Sequence, residues 1–264
     1  MKAEIKLLVI IDAAIDYLPQ IEEALEKQKQ DYLTATQGEV DVSWIIKRQD
    51  LSHLPWMEYG YGADNYGIST AWIRQDTSQI SGDYYSIAYV IKDTNWTTQG
   101  NKAIAGWSVG FYSGYHVQLI KGFGNNVEAN YRTFLMELMH SWNEYSMAKL
   151  GTDFNKLFSV LNWDEDVVHG RHPDYTVFKY IPVIQKIKDI LIQLFIINNK
   201  TMTWGQINKL SLLTFKRPAD ESMRGYEGKD FDFVADEFLK SKENDIYTPL
   251  FRAVKDIENW ARGL

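Results

Sequence analysis

The chain has 264 residues, with 28 Lys and Arg against 35 Asp and Glu, and a formal net charge of −7. At 45% hydrophobic and 24% charged it has globular composition, and its length suits one large domain or a domain with a small appendage. It has no cysteine, which excludes disulfides, cysteine-ligated zinc, iron–sulfur clusters and a thiol nucleophile, and an acidic chain without a long basic run is a poor binder of nucleic-acid phosphates.

Taken in chain order, Lys6 to Ile11 is a short β-branched run and predicts a buried strand. Its basic start and apolar body resemble a leader peptide, but Asp12 and Asp16 interrupt the run and no clean small-residue cleavage site follows. Pro19 stands where a helix can begin, and Ile21, Leu25, Gln28 and Tyr32 share one face of a helix ending near Tyr32. Glu39 to Lys47 alternates through Val40, Val42, Trp44 and Ile46, a strand with one buried face. Pro55 to Trp72 sets Trp56, Tyr59, Tyr61, Tyr66 and Trp72 among glycines that interrupt both periods, and reads as a long aromatic loop. Such a loop either lines a groove or fills core.

Tyr84 to Ile91 is a strand continuing toward Trp96. Trp107 to Tyr112 and Tyr115 to Ile120 form a hairpin turning at Ser113-Gly114. From Val127 to Leu150 the period is helical, with Phe134, Leu135, Leu138, Met139, Trp142 and Met147 as an apolar stripe and Gly151 as the stop. An Asp- and His-rich loop, Asn162 to Tyr175, precedes a helix over Tyr180 to Ile197. Its apolar run, Ile190 to Ile197, is far below the ~20 residues needed to span a bilayer, so the chain reads as soluble, with no membrane partner expected. Beyond Thr201, Gly, Pro and charges punctuate two amphipathic stretches, Phe231 to Lys240 and Tyr247 to Arg262, a small helical module expected to dock its Tyr247 to Trp260 stripe on the main domain or on a partner subunit. The expected organisation is a main domain over 1–200 and a module over 201–264. Strands clustered before helices predict an α+β fold with a mixed sheet.

The chemistry-bearing residues gather late in the main domain. Of five histidines, His140 sits mid-helix, and His169 and His172 lie in the loop with Asp164, Glu165, Asp166 and Asp174. The helix reads Met136-Glu137-Leu138-Met139-His140. Two ligands at i and i+4 share a helix face, which is how a His-Glu-x-x-His helix holds zinc with its Glu as general base. Here the Glu and the second His are present and Met136 stands in the first-ligand position. A Glu-x-x-His tetrapeptide also arises by chance, and a lone helical His is commonly a core residue. The acidic loop lacks the spacing of a twelve-residue calcium loop, and Gly106, Gly110 and Gly114 do not open a helix as a phosphate cradle would.

The stretches Asp83-Tyr84, Tyr89-Val90-Ile91, Asn95-Trp96 and Gly106-Trp107, then Gly110, Gly114-Tyr115, the Met136 to His140 helix and Trp163 to Gly170 resemble the zincin-like metallopeptidases of phage and small-bacterium genomes, over roughly residues 1–195. That resemblance implies a zincin-like mixed sheet with an active-site-type helix. It casts Glu137 as general base, His140 as the second helical ligand and His169 as the third, with Asp166 or His172 as substitutes. Met136 is a thioether, a poor ligand for Zn²⁺. Three readings follow: a dead site on a fold kept for binding or architecture, a rearranged set of His140, Glu144 and His169 or His172, or a helix that never bound metal. Zinc is then weakly held or absent, and the partner is a protein or peptide. A buried Glu137 would need a counter-charge such as Arg132 or Arg171.

Overall fold

The computed structural model describes residues 2–58, 66–94, 106–113, 115–150, 180–200 and 203–205. Among them run β1 (Ala3–Asp12), α1 (Leu18–Ala35), β2 (Val40–Gln49), β3 (Trp56–Glu58), β4 (Tyr66–Ile68), α2 (Thr70–Ser78), β5 (Ser86–Ile91), β6 (Gly106–Tyr112), β7 (Tyr115–Lys121), α3 (Val127–Leu150) and α4 (Tyr180–Lys200). The class is α+β: helices with a five-stranded sheet in the order β2-β1-β5-β7-β6. β1 pairs parallel with β5 and β5 parallel with β7, while β6 returns antiparallel along β7. Ala3 N–H donates to Glu39 O near the start of both β1 and β2, and Ala13 N–H to Gln49 O near their ends, so β2 also runs parallel to β1.

The chain divides into two compact units, Lys6–Gln28 with Ser43–Ser141, and Met1–Ile5 with Lys29–Val42 and Trp142–Leu264. The first holds the sheet core. Every residue of β5 is buried, as a central parallel strand covered on both faces requires. Pleat parity sorts the side chains. Leu8 and Ile10, Ile87, Tyr89 and Ile91, and Val117 and Leu119 pack with Leu51, Leu54, Ile68 and Ile73 on one face. The opposite face carries Ser86, Ala88, His116, Gln118 and Ile120, all buried. Helix α3 covers that face at Gly106, where Thr133 and Glu137 touch the strand. Beside α3 runs α1, whose Gln28 Nε2 donates to Phe134 O at 3.1 Å. The predicted α1 stripe is realised: Ile21, Leu25, Gln28 and Tyr32 are all fully buried.

The second unit shows a tight turn. Thr36 Oγ1 donates to Tyr32 O (2.6 Å) and accepts from Val40 N–H (3.0 Å). Gln37 and Gly38 take φ of 54° and 80°, the left-handed pair that turns α1 into β2. Lys188 of α4 meets the Glu39 carboxylate at 2.7 Å, and that contact raises the lysine's pKa. Among the described side chains of α4, Ile184 and Leu191, two turns apart, are buried.

One stretch differs from expectation. Residues 55–72 are not one long loop. Trp56–Glu58 pairs antiparallel with Tyr66–Ile68, and α2 begins at Thr70. Gly67 lies inside β4, opposite Met57, and the paired strands are too short to show a period. The strand predicted toward Trp96 ends at Ile91. The hairpin turn is where it was expected, with Tyr112 opposite Tyr115 and Ser113 at φ 52°. The 201–264 module falls almost wholly outside the described residues. No helix among the described residues is long and apolar enough to cross a membrane.

Candidate functional site

Helix α3 begins where Asn126 Oδ1 accepts the Ala129 N–H at 3.0 Å, a side-chain cap on an otherwise orphaned donor. One turn on, Asn130 fastens the helix to the end of β7: its Oδ1 accepts Phe123 N–H (2.9 Å) and its Nδ2 donates to Gly124 O (3.3 Å). These ties fix the helix rotation. Asn130, Thr133, Phe134, Glu137 and Leu138 then follow at helical spacing, and all are buried.

Glu137 is 1% exposed and Met136 is 6% exposed. The carboxylate lies against edge strand β6. A Cβ added to Gly106 would stand 2.6 Å from Glu137 Oε1, 2.9 Å from Glu137 Cγ and 2.8 Å from Thr133 Cγ2. Only a residue without a side chain lets strand and helix approach so closely. Arg132, one expected counter-charge, pairs with Glu128 at 2.8 Å, one turn back on its own helix. Arg171, the other, lies outside the described residues.

His140 and Glu144 lie on α3 four residues apart, in one continuous helix. Asp166, His169 and His172 lie outside the described residues. Among the described residues no three His, Asp or Glu side chains converge as a metal site. The described donors do not fit the zinc that the resemblance implies. At the first-ligand position stands a buried thioether, and at the base position an acid packed against backbone.

A second polar cluster had no signal in the sequence. On the sheet face that α3 covers, Ser86 Oγ lies 2.9 Å from His116 Nδ1, donates to His116 O (3.0 Å) and accepts from Gln118 Nε2 (2.7 Å). Tyr85 stacks on the His116 ring at 6.5 Å between centroids. Ser86 and His116 are register partners on β5 and β7, so strand pairing alone brings them together. The Ser86, His116 and Gln118 side chains are sealed from solvent, which suits a satisfied core network and leaves no approach for a substrate.

On the other face Asp76 of α2 accepts from Tyr89 OH (2.5 Å) and Gln49 Nε2 (3.0 Å). Burial first, then the bond to this carboxylate and its charge, hold the Tyr89 hydroxyl far above the usual tyrosine range. At the carboxyl ends of β1 and β5, Arg48 donates to Ala13 O and Ile15 O, and Lys92 to Ala14 O. Tyr17, buried beside Gly122, has its pKa pushed up to about 12, by burial first and then, more weakly, by the charges of Asp93, Asp16 and Asp12; a backbone contact at Gly124 works in the opposite sense.

No family model matches the sequence, and no curated protein matches it.

Proposed function

We propose that this chain is a zincin-fold protein of phage type whose metal site is degenerate, and that it serves as a non-catalytic binding or structural protein for a protein or peptide partner. The observation that carries the reading is the state of the motif on α3. Met136 occupies the first-ligand position and is buried, and Glu137, at the base position, is 1% exposed and packed against Gly106. A general base must reach the water or substrate proton it abstracts, to within about 3 Å. Further support comes from the frame: a mixed sheet with an antiparallel edge strand, followed by a parallel strand and then a long helix bearing Glu137 and His140.

The test is metal content and its linkage to stability. The full chain, purified without chelator, is expected to hold far less than one zinc per chain, and EDTA is expected to leave its Tm unchanged. A metal that binds only the native state raises stability with its concentration. Stoichiometric zinc, with a Tm that falls on chelation, would overturn the proposal. It would favour an active metallopeptidase using His140, Glu144 and His169 or His172.

A further inference from the structure

The mismatch between the described helix and a zinc site extends beyond the missing ligand. We infer that Glu137 is a structural acid, clamped between α3 and the edge strand β6, and that Gly106 is the residue that makes the clamp possible. The inference rests on the degenerate-site reading, since a working base could not be held in this way.

Three observations converge. Glu137 is 1% exposed, and its neighbours Phe134, Leu135 and Leu138 are fully buried, so the carboxylate belongs to the interior of the helix–sheet layer. Gly106 lies opposite Ile120 of β7, on the sheet face that α3 covers. A methyl group there would meet both the Oε1 and the Cγ of Glu137, and the Thr133 methyl, at 2.6–2.9 Å. Real Cβ atoms essentially never show separations under 3.0 Å, so a methyl group at 106 forces the Glu137 side chain, and the Thr133 methyl with it, to shift. The pair is a size complement: no side chain on the strand, a long one on the helix.

A double-mutant cycle on the full chain tests this. Gly106→Ala is expected to lower Tm by several degrees, and Glu137→Ala to lower it as well by opening a hole. Together they are expected to cost clearly less than the sum, because truncating Glu137 removes two of the three atoms that a methyl group on residue 106 meets. If Gly106→Ala alone does not fold, recovery of a folded chain by adding Glu137→Ala supports the clamp, and failure to recover overturns it. Additive losses would overturn it too, as would a Tm raised by Glu137→Ala, the behaviour of an acid held for function at the expense of stability. The zinc content of the same preparations keeps the two readings apart. Coupling together with one zinc per chain refutes the degenerate site and with it the structural role of Glu137, leaving only the packing contact, whereas no coupling and no zinc refutes only the clamp.

Discussion

Replacing Tyr89 by Phe isolates one hydrogen bond. The ring is fully buried in the sheet core, edge-on to Trp72 at 5.6 Å and 63°, and phenylalanine keeps those contacts. What is lost is the hydroxyl's 2.5 Å bond to Asp76 Oδ2, while Gln49 still donates to the other carboxylate oxygen at 3.0 Å. A hydrogen bond to a charged group contributes about 1.5–3 kcal/mol net. For a chain of this size each kcal/mol moves Tm by roughly 2–4 °C, so the expected loss is roughly 3–12 °C. Urea unfolding and calorimetry at pH 7 measure it, and a cycle with Asp76→Asn assigns it to the pair. The effect also has a pH signature. The native hydroxyl holds its proton above the unfolded value of about 10, so its contribution is complete below pH 10 and is lost as pH rises further. The wild-type and Tyr89→Phe stability curves should therefore converge above pH 10. A loss under about 0.5 kcal/mol, or additive effects with Asp76→Asn, would refute the reasoning.

Tyr17 adds to the same alkaline limb: with its pKa pushed up to about 12, its contribution is full below pH 10 and lost between pH 10 and 12, so Tyr17→Phe should flatten the fall of Tm measured over that interval. Ser86→Ala strips the buried Gln118 amide of its acceptor and should cost about 1–3 kcal/mol by chemical denaturation, whereas Ser86→Thr, which keeps the hydroxyl, should cost less. Ile87→Ala opens a hole in a fully buried central strand and should cost about 2–5 kcal/mol. Lys27→Ala breaks a half-exposed 3.3 Å pair with Glu128 and should change stability by no more than about 1 kcal/mol, which denaturant titration at low and high salt can check.

The elements whose signal is local were legible in the order of residues alone. The stripe Ile21, Leu25, Gln28 and Tyr32 set α1 and its buried face, because a helix brings residues three and four apart together whatever the rest of the chain does. The helical period from Val127 to Leu150 matched α3 end to end, and Ser113-Gly114 marked the hairpin because a two-residue turn needs little beyond its own backbone. Features that are not local came only with the folded arrangement. The order β2-β1-β5-β7-β6 places β5 between β1 and β7, strands far apart in the chain, through backbone bonds that carry no sequence code. The hairpin within 55–72 has strands of three residues, too short for alternation to appear. The motif around Glu137 was legible as a motif, and its burial was not: a Glu-x-x-His pattern reads the same whether it faces a cleft or a strand. Gly106 decides between them, and its bearing on Glu137 exists only once β6 folds back beside β7 and α3 crosses the edge. His116, too, was visible as one of five histidines, but its partnership with Ser86 and Gln118 is a product of strand register, which aligns residues thirty positions apart.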